Sequence, residues 1–399
     1  MKSANRIIFI SLIVYSLILR GQTFSIIKEY PAEPGLRQVL VRRDSTNLVP
    51  YCFIYSDYLS FLESPAASVE FLPQQPQFIS KYQYFFGLLN RGQLPANPTE
   101  PQPATLAVYS STLQSPATIS DQFVNTGKIP SFVFSDGRLA IVRIAPNGDK
   151  LTFYDHHGRF LREKKFVRSI PHNYEPATGM FSQSGERFVF CTRQIDEEEN
   201  QTTPLLYLLS TIGEEFWKYE LILRQVVALT ISKSGVEVAV AGKIQEPIGN
   251  QPDSRIIVFD SLGNIQSTLP FRAVRLDFNP AANQLLIADE QSFRVIDLTT
   301  EGVRVSERPA TGKQIISDMG FLNDSTFAIA TGEIKHLNSQ KIFDNPTIYF
   351  YQTNGRQLTV LPLTQNYSFF GKLLFLREGN QVGFTLQDRF LVIQPPTAK

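Results

Sequence analysis

Cysteine is scarce in this sequence, and neither sign of charge is in excess. The 399 residues include 2 Cys, and 38 Lys and Arg against 37 Asp and Glu leave a formal net charge of +1. Without an excess of positive charge or a visible basic stripe, binding to a phosphate backbone has no electrostatic basis, so we expect no nucleic-acid partner. Cys52 and Cys191 stand in separate β-rich runs. Because a disulfide needs Cα atoms within about 7 Å, we expect two buried free thiols.

The usual motifs of catalysis are also missing. The sequence has no Gly-x-Ser-x-Gly elbow and no Gly-rich phosphate loop between a strand and a helix. Only 4 His occur, and the adjacent pair His156 and His157 has no further donors at metal-ligand spacing. We therefore expect a solvated turn at that pair and predict neither a metal nor a cofactor.

The one long apolar run lies at the N-terminus. Ile7 to Leu19 is a 13-residue apolar stretch that follows Lys2 and Arg6. It is short for a membrane span, which needs about 20 apolar residues, and it has the anatomy of an export signal. We predict that residues 1–25 are a signal peptide and that the mature chain is periplasmic or secreted, without stable membrane insertion. An uncleaved membrane anchor and a cytosolic apolar leader are the alternatives.

What the sequence does contain is a repeat: an apolar residue, a short polar turn, then a new apolar run. Its seven copies start 43 to 63 residues apart and span Phe71–Phe78, Phe134–Leu139, Phe181–Phe188, Ile231–Val238, Phe278–Leu285, Phe321–Phe327 and Phe375–Val382. A second set of turns containing Gly interleaves with them, at Phe153–Phe160, Tyr207–Gly213, Val258–Gly263, Val295–Gly302 and Phe350–Gly355. Two turns in each repeat predict four antiparallel strands, since Gly supplies the positive φ of a tight reversal. A hairpin recurring at this interval indicates a β-propeller.

Two copies carry a family resemblance. Phe134-Ser-Asp-Gly137 and Phe181-Ser-Gln-Ser-Gly185 resemble the turn of WD40-like and TolB-like propeller repeats, in which Phe-Ser-Pro-Asp-Gly precedes an apolar strand. The resemblance extends over residues 68–395 and implies the fold alone. The Trp-Asp and Gly-His marks of true WD40 repeats are absent, and a single Trp argues against a quinone-binding propeller.

We therefore predict an all-β, seven-bladed propeller of four-stranded antiparallel blades over residues 68–395. The last repeat has only three strands before the chain ends, so we expect a strand from residues 26–67 to close the ring by completing it. An eight-bladed ring, in which the early strands form their own blade, is the alternative.

Long connections predict where the molecule binds a partner. The turns between first and second strands and between third and fourth strands are short and share one face, here called the plain face. The connections between second and third strands, and between blades, share the opposite, elaborated face. Long connections on it cover Leu88–Ala104, Ser120–Ile129, Arg168–Pro176, Gln194–Pro204, Gly242–Ser254 and Gly332–Pro346. Connections beyond about 12 residues usually have a binding role.

The leading functional hypothesis is a non-catalytic scaffold that binds a protein, peptide or glycan on the elaborated face. Polar and aromatic residues there are the candidate contacts: His172, Tyr174, Arg193, Lys243, Lys335, His336 and Tyr367. The alternative is a hydrolase or lyase at the channel mouth, built from charges predicted on inner strands: Glu70, Arg275, Asp277 and Asp318.

Overall fold

The structure is a computed structural model and contains only β-strands and their connections in the residues it describes. These residues are 25–44, 47–56, 58–62, 69–71, 78–79, 85–91, 101–110, 117–124, 131–133, 138–143, 150–155, 157–166, 178–196, 201–244, 253–300, 302–376 and 379–395. Within them, no helix has the length and apolar character needed to cross a membrane. The predicted signal peptide lies almost entirely outside them.

The strands form eight sheets, which we label A to H. Sheet A contains β2 (Gln38–Asp44), β3 (Asn47–Ile54), β4 (Tyr58–Phe61) and β5 (Val69–Phe71). Sheet B contains β6 (Phe78–Ile79), β7 (Phe85–Arg91), β8 (Pro101–Ser110) and β9 (Ala117–Val124). Sheet C contains β10 (Ser131–Val133), β11 (Leu139–Arg143), β12 (Lys150–Tyr154) and β13 (Phe160–Lys165). Sheet D contains β14 (Thr178–Phe181), β15 (Arg187–Asp196), β16 (Gln201–Ser210) and β17 (Glu215–Glu220).

The other four sheets follow the same pattern. Sheet E contains β18 (Leu223–Ile231), β19 (Val238–Ile244), β20 (Ser254–Phe259) and β21 (Ile265–Leu269). Sheet F contains β22 (Arg275–Phe278), β23 (Gln284–Ala288), β24 (Phe293–Asp297) and β25 (Gly302–Glu307). Sheet G contains β26 (Gln314–Phe321), β27 (Thr326–Leu337), β28 (Gln340–Gln352) and β29 (Gln357–Pro362), and β30 (Tyr367–Ser368) also pairs with β28. Sheet H contains β31 (Leu373–Leu376), β32 (Gln381–Leu386), β33 (Arg389–Gln394) and β1 (Ser25–Pro31).

The prediction of four-stranded antiparallel sheets is confirmed. Six of the seven repeat turns join the first and second strands of one sheet, and all five Gly turns join a third strand to a fourth. The seventh repeat turn, Phe71–Phe78, was misassigned: it connects β5 of sheet A to β6 of sheet B. It resembles the others because any polar connection between two apolar strands has this pattern.

The described residues contain eight sheets rather than seven, so the count of seven is not confirmed. The extra sheet is sheet A, three of whose strands come from residues 26–67, the segment that the sequence analysis had left outside the repeats. The strand that completes sheet H does come from the N-terminus: β1 pairs antiparallel with β33, from Ser25 opposite Gln394 to Pro31 opposite Arg389.

Apolar clusters lie between consecutive sheets. Phe153 of sheet C meets Phe188 of sheet D edge to face, with ring centroids 5.8 Å apart, and both side chains are fully buried. Such pairs add to the burial term that stabilises stacked sheets. Cys52 and Cys191 are both free and buried, as predicted.

Gly residues are needed in turns of the plain face because these turns pack closely on the preceding sheet. Gly263 ends the turn between β20 and β21 with φ +83°, and a Cβ there would lie 2.9 Å from the ring of Trp217 in sheet D. The same turn is held by Asp260, whose carboxylate accepts the backbone N–H groups of Leu262 at 2.9 Å and Asn264 at 2.8 Å. These turns are short and are held by hydrogen bonds within the turn. The long strand extensions therefore lie on the opposite face.

Candidate functional site

The predicted long loops of the elaborated face are largely β-hairpins. In sheet D, β15 and β16 remain paired as far as Asp196 opposite Gln201. In sheet G, β27 and β28 remain paired as far as Leu337 opposite Gln340. At these two places the long connections predicted from the sequence are formed mostly by paired strands. The polar turn pair Asn338-Ser339 between the apolar residues Ile334, Leu337 and Ile342 was a signal that could have indicated a hairpin.

The sheet G hairpin extends beyond the rest of its sheet, and we call residues 333–344 the G arm. Pairing of β27 with β26 ends at Glu333, opposite Gln314, whereas pairing with β28 continues to the tip. The tip residues Asn338 and Ser339 have φ values of 49° and 64°. A two-residue turn with both φ positive matches the twist of its strands, so the arm is a regular extension.

A third short strand supports the G arm. Within β30, Tyr367 lies opposite Asp344 and Ser368 opposite Phe343. Tyr367 also exchanges two hydrogen bonds with Gln387 of sheet H: its N–H donates to the Gln387 side-chain oxygen at 2.9 Å, and its carbonyl accepts the Gln387 N–H at 3.0 Å. The base of the arm is thereby joined to sheet H.

The tip of the arm contacts the segment between β1 and β2. Arg37, which is buried, donates from Nη2 to Oε1 of Gln340 at 2.7 Å. Its guanidinium also lies 5.3 Å from the ring centroid of Phe369. Since Arg37 precedes sheet A and Gln340 belongs to sheet G, the arm spans the neighbouring sheet H and is anchored at both ends.

The structure brings three of the seven predicted contact residues together on this arm and on the β30 strand beside it. Lys335 and His336 are exposed in β27, and Tyr367 is half-buried in β30. Nζ of Lys335 lies 2.5 Å from Asp344 Oδ2 and 4.0 Å from Glu333 Oε2. The hydrogen bond and charge of Asp344 raise the pKa of Lys335. Its charge is therefore partly neutralised within the arm, while the His336 ring is solvent-exposed.

The other four predicted residues lie elsewhere. Lys243 is exposed near the end of β19 in sheet E, opposite Ser254. Arg193 belongs to β15 in sheet D, opposite Pro204. His172 and Tyr174 lie outside the described residues. By strand order, Lys243 and Arg193 share the elaborated side with the G arm, but each belongs to a different hairpin.

Sequence reasoning missed the apolar part of this surface. Ile334 and Leu337 of the G arm and Phe370, which follows β30, are 40%, 40% and 41% exposed. Ile334 and Leu337 lie on the part of β27 beyond Glu333, whose outer edge pairs with no other strand in the described part of the chain. Phe370 follows β30, which lies on the β28 side of the arm. An open strand edge flanked by exposed apolar side chains is a template for pairing with an extended chain.

Two of the predicted channel carboxylates hold sheets together. Oδ2 of Asp277 in β22 accepts the backbone N–H of Phe321 in sheet G at 2.8 Å. Oδ2 of Asp318 in β26 accepts the N–H of Leu373 in sheet H at 3.0 Å. Both side chains are buried. Each therefore bonds the backbone of the next sheet, a role in which a carboxylate stabilises the fold.

Glu70 is placed differently from the other channel candidates. It lies in β5, the last strand of sheet A, opposite Leu59, whereas Arg275, Asp277 and Asp318 lie in the first strands of sheets F and G. The misassigned turn after Phe71 explains this difference. In the described residues, no group of three or more His, Cys, Asp or Glu side chains is arranged to hold a metal ion.

Comparison with known proteins identifies the fold alone. No protein-family model matches the sequence, and no curated protein matches it significantly. The structure of BamB from Moraxella catarrhalis has a TM-score of 0.52 at 8% identity, covering 96% of this chain and 100% of that one. The Dos1 propeller has a TM-score of 0.54 at 10% identity, covering 92% and 96%. A eukaryotic initiation factor has a TM-score of 0.50 at 10% identity, covering 87% and 94%. The chain is a β-propeller, and this fold has many functions.

Proposed function

We propose that this chain is a non-catalytic binding propeller that acts outside the cytoplasm and docks an extended segment of a partner protein on its elaborated face. The observation that carries the proposal is the G arm, where the open edge of β27 carries the exposed side chains of Ile334 and Leu337. Added strands gain affinity from main-chain hydrogen bonds and specificity from alternate side chains. Burying the side chains of Ile334 and Leu337 supplies the hydrophobic part of the interaction.

The rigidity of the arm favours this function. Arg37 anchors its tip and Tyr367 its base, so the edge is pre-organised and little conformational entropy is lost on binding. His336 beside the edge adds a polar contact of the kind predicted from sequence. Lys335 is engaged by Asp344 and contributes less than the sequence alone suggested.

We propose eight blades, with the ring closed through sheet H. Support comes from the eight sheets, each with a core of four antiparallel strands, in the described part of the chain. It also comes from the adjacency of first strands from sheet B through sheet H, and from the packing of sheet A on sheet H. The pairing of β1 with β33 joins the two ends of the chain in one sheet, as in other propellers that close by completing a blade.

Export is a proposal from the sequence, resting on the apolar run after Lys2 and Arg6. Mass spectrometry of the mature N-terminus tests it directly. A start near residue 25 is expected, and an intact Met1 in the mature protein would refute the cleaved signal.

Quantitative affinity capture tests the binding face. A double variant, Ile334→Lys and Leu337→Lys, places charge on the apolar edge, and Leu262→Lys is the matched control on the plain face, where Leu262 is 76% exposed. We expect wild type and control to recover the same partner, and the arm variant to recover about tenfold less or lower. Equal recovery by all three proteins, at unchanged melting temperature, would contradict docking on the arm.

The hydrolase or lyase alternative has no specific observation in its favour. Asp277 and Asp318, two of its four candidate residues, both accept backbone hydrogen bonds from the neighbouring sheet. Glu70 lies in a last strand, apart from them.

A further inference from the structure

The open edge of the G arm extends over four residues, Ile334 to Leu337. Pairing of β27 with β26 ends at Glu333, and a two-residue turn follows Leu337. In an antiparallel pair, facing residues alternate between those that exchange both backbone hydrogen bonds and those that exchange none. Leu337 and Gln340 flank the turn and exchange both bonds, so the N–H and C=O groups that point to the open edge are those of Ile334 and His336.

The two faces of the arm carry different charges. Successive side chains on a strand alternate between faces, and residues opposite each other share a face. Glu333, Lys335 and Asp344 share the first face, where Nζ of Lys335 lies 2.5 Å from Asp344 Oδ2 and 4.0 Å from Glu333 Oε2. His336 lies opposite Lys341 on the second face. Within the arm, the first face therefore carries two acids and one engaged cation, and the second face carries basic residues without an acid.

The basic pair on the second face has no acidic partner among the residues that the structure describes. His336 and Lys341 are both exposed, and neither forms an ion pair with a described residue. Nζ of Lys341 lies 5.2 Å from the ring centroid of Phe343, two positions along the same strand. Lys313 is exposed directly before β26 and adds a positive charge at the base of the edge. Like charges opposite each other weaken a sheet, so this face is suited to a negative group.

We propose that the segment docked on the G arm is acidic: a short strand that runs antiparallel to β27 and places an Asp or Glu side chain opposite His336. This inference rests on the proposed function, since it names the chemistry of the same partner. The direction follows from β26, whose path along β27 the added strand continues. The imidazole of His336 has an N–H donor in either protonation state, so it can donate to the carboxylate, and Lys341 beside it adds a positive charge.

The same geometry sets the neighbours of the acid. In an antiparallel strand, the residue directly before the acid lies opposite Leu337, and the residue two positions after it lies opposite Ile334. Both of these positions face exposed apolar side chains, so they favour apolar residues. The expected pattern in the partner is therefore apolar, acidic, any residue, apolar.

A second copy of this chain is a poor occupant of the edge. Outward backbone groups must pair with outward groups, so two arms that meet antiparallel align either Lys335 with Lys335 or His336 with His336. Either alignment places two basic side chains directly opposite each other, with no acid between them. The charges of the arm therefore favour a different chain that supplies the acid.

Panning a phage library of random octapeptides on the purified protein tests the chemistry of the segment, because the library contains acidic, neutral and basic sequences alike. Recovery is compared between wild type and two double variants. The edge variant, Ile334→Lys with Leu337→Lys, removes the apolar side chains. The basic-pair variant, His336→Gln with Lys341→Gln, removes only the groups proposed to hold the carboxylate.

A matched control removes the same residue types elsewhere. His157→Gln with Lys233→Gln alters one exposed histidine and one exposed lysine in turns of the plain face. We expect the peptides enriched on wild type to carry Asp or Glu between apolar residues in the order given above. A synthetic copy of the most frequent peptide should bind wild type and control equally. Replacing its acid by Gln should weaken binding to both about fivefold or more, and should change nothing in the basic-pair variant.

Enriched peptides that are lost in the edge variant but lack an acid would overturn the acidic segment and leave docking on the arm intact. An unchanged preference for the acid in the basic-pair variant would overturn the role of His336 and Lys341. Equal recovery of the peptides by wild type and the edge variant, or no enrichment on wild type, would overturn docking of an extended segment on the arm, and the acidic segment with it.

Discussion

Arg37 and Gln340 are 303 positions apart in the chain, yet a guanidinium N–H of the first donates to the side-chain oxygen of the second at 2.7 Å. The bond joins the segment before sheet A to the tip of the G arm, across sheet H. It therefore connects the beginning of the described chain with a hairpin near its end.

Replacing Arg37 should loosen this connection. Arg37→Ala removes a buried side chain that contacts Gln340 and the ring of Phe369, and we expect a loss of about 1–3 kcal/mol in the free energy of unfolding. Arg162→Ala is the control, because Arg162 and Glu214 form an exposed ion pair at 3.3 Å that should contribute about 0–1 kcal/mol. Urea unfolding measures both. Equal losses would contradict an anchoring role for Arg37.

Gly263 should tolerate no side chain, and the single Trp reports on it. A Cβ at Gly263 would lie 2.9 Å from the ring of Trp217, at a φ of +83°, so Gly263→Ala should cost about 2–3 kcal/mol and change Trp fluorescence. Gly35 has a φ of +95°, but a Cβ added there would have no neighbouring atom within 4 Å. Gly35→Ala should therefore cost only the backbone term, about 1 kcal/mol. If both variants lost the same free energy of unfolding, the contact with Trp217 would not contribute to the cost of Gly263→Ala.

Acid should weaken sheet F through Asp297. Hydrogen bonds from Thr299 and Arg304 lower the pKa of Asp297 from 3.8 to about 2. Because the folded pKa is below the unfolded one, this stabilisation is complete above about pH 4 and is lost as pH falls towards about 2. In Asp297→Asn the melting temperature should therefore fall less between these two pH values than it does in the wild type. Glu290→Gln, at an exposed pair with Arg272, is the control. An unchanged acid profile in Asp297→Asn would refute this contribution.

Removing β1 should expose a strand edge. A chain that starts after Pro31 leaves β33 without its antiparallel partner from Ser25 to Pro31, and a bare edge promotes association between chains. We expect a lower melting temperature and larger species in size-exclusion chromatography than for a chain that starts at Ser25. Identical behaviour of the two proteins would contradict completion of sheet H by β1.

The repeat in the sequence predicted the strands well because each turn has a chemical signature. Asp260 and Gly263 specify a tight turn through local bonds and positive φ, which are properties of the nearby sequence alone. A separate sheet A was kept only as the alternative, because its strands lack such paired turn signals and the connection after Phe71 resembles a repeat turn.

The site was predicted less well because it depends on distant contacts. Lys335, His336 and Tyr367 were selected by residue type, and β30 brings Tyr367 opposite Asp344. Lys335 meets its partner Asp344 because of the cross-strand register of the arm. Gln340 is held by Arg37, a residue far away in the chain. Exposed Ile334 and Leu337 look like ordinary core residues in sequence. Only the end of the β26 pairing at Glu333 reveals that they border an open edge.

Site-specific photo-crosslinking in the producing cell tests the central claim most directly. A benzoylphenylalanine replaces Leu337 at the G arm or, as the control, Leu262 on the plain face, both of which are exposed apolar positions. The account predicts one discrete crosslinked protein from position 337 and none from position 262. The same crosslinked product from both positions, or a product from position 262 alone, would contradict partner docking on the elaborated face.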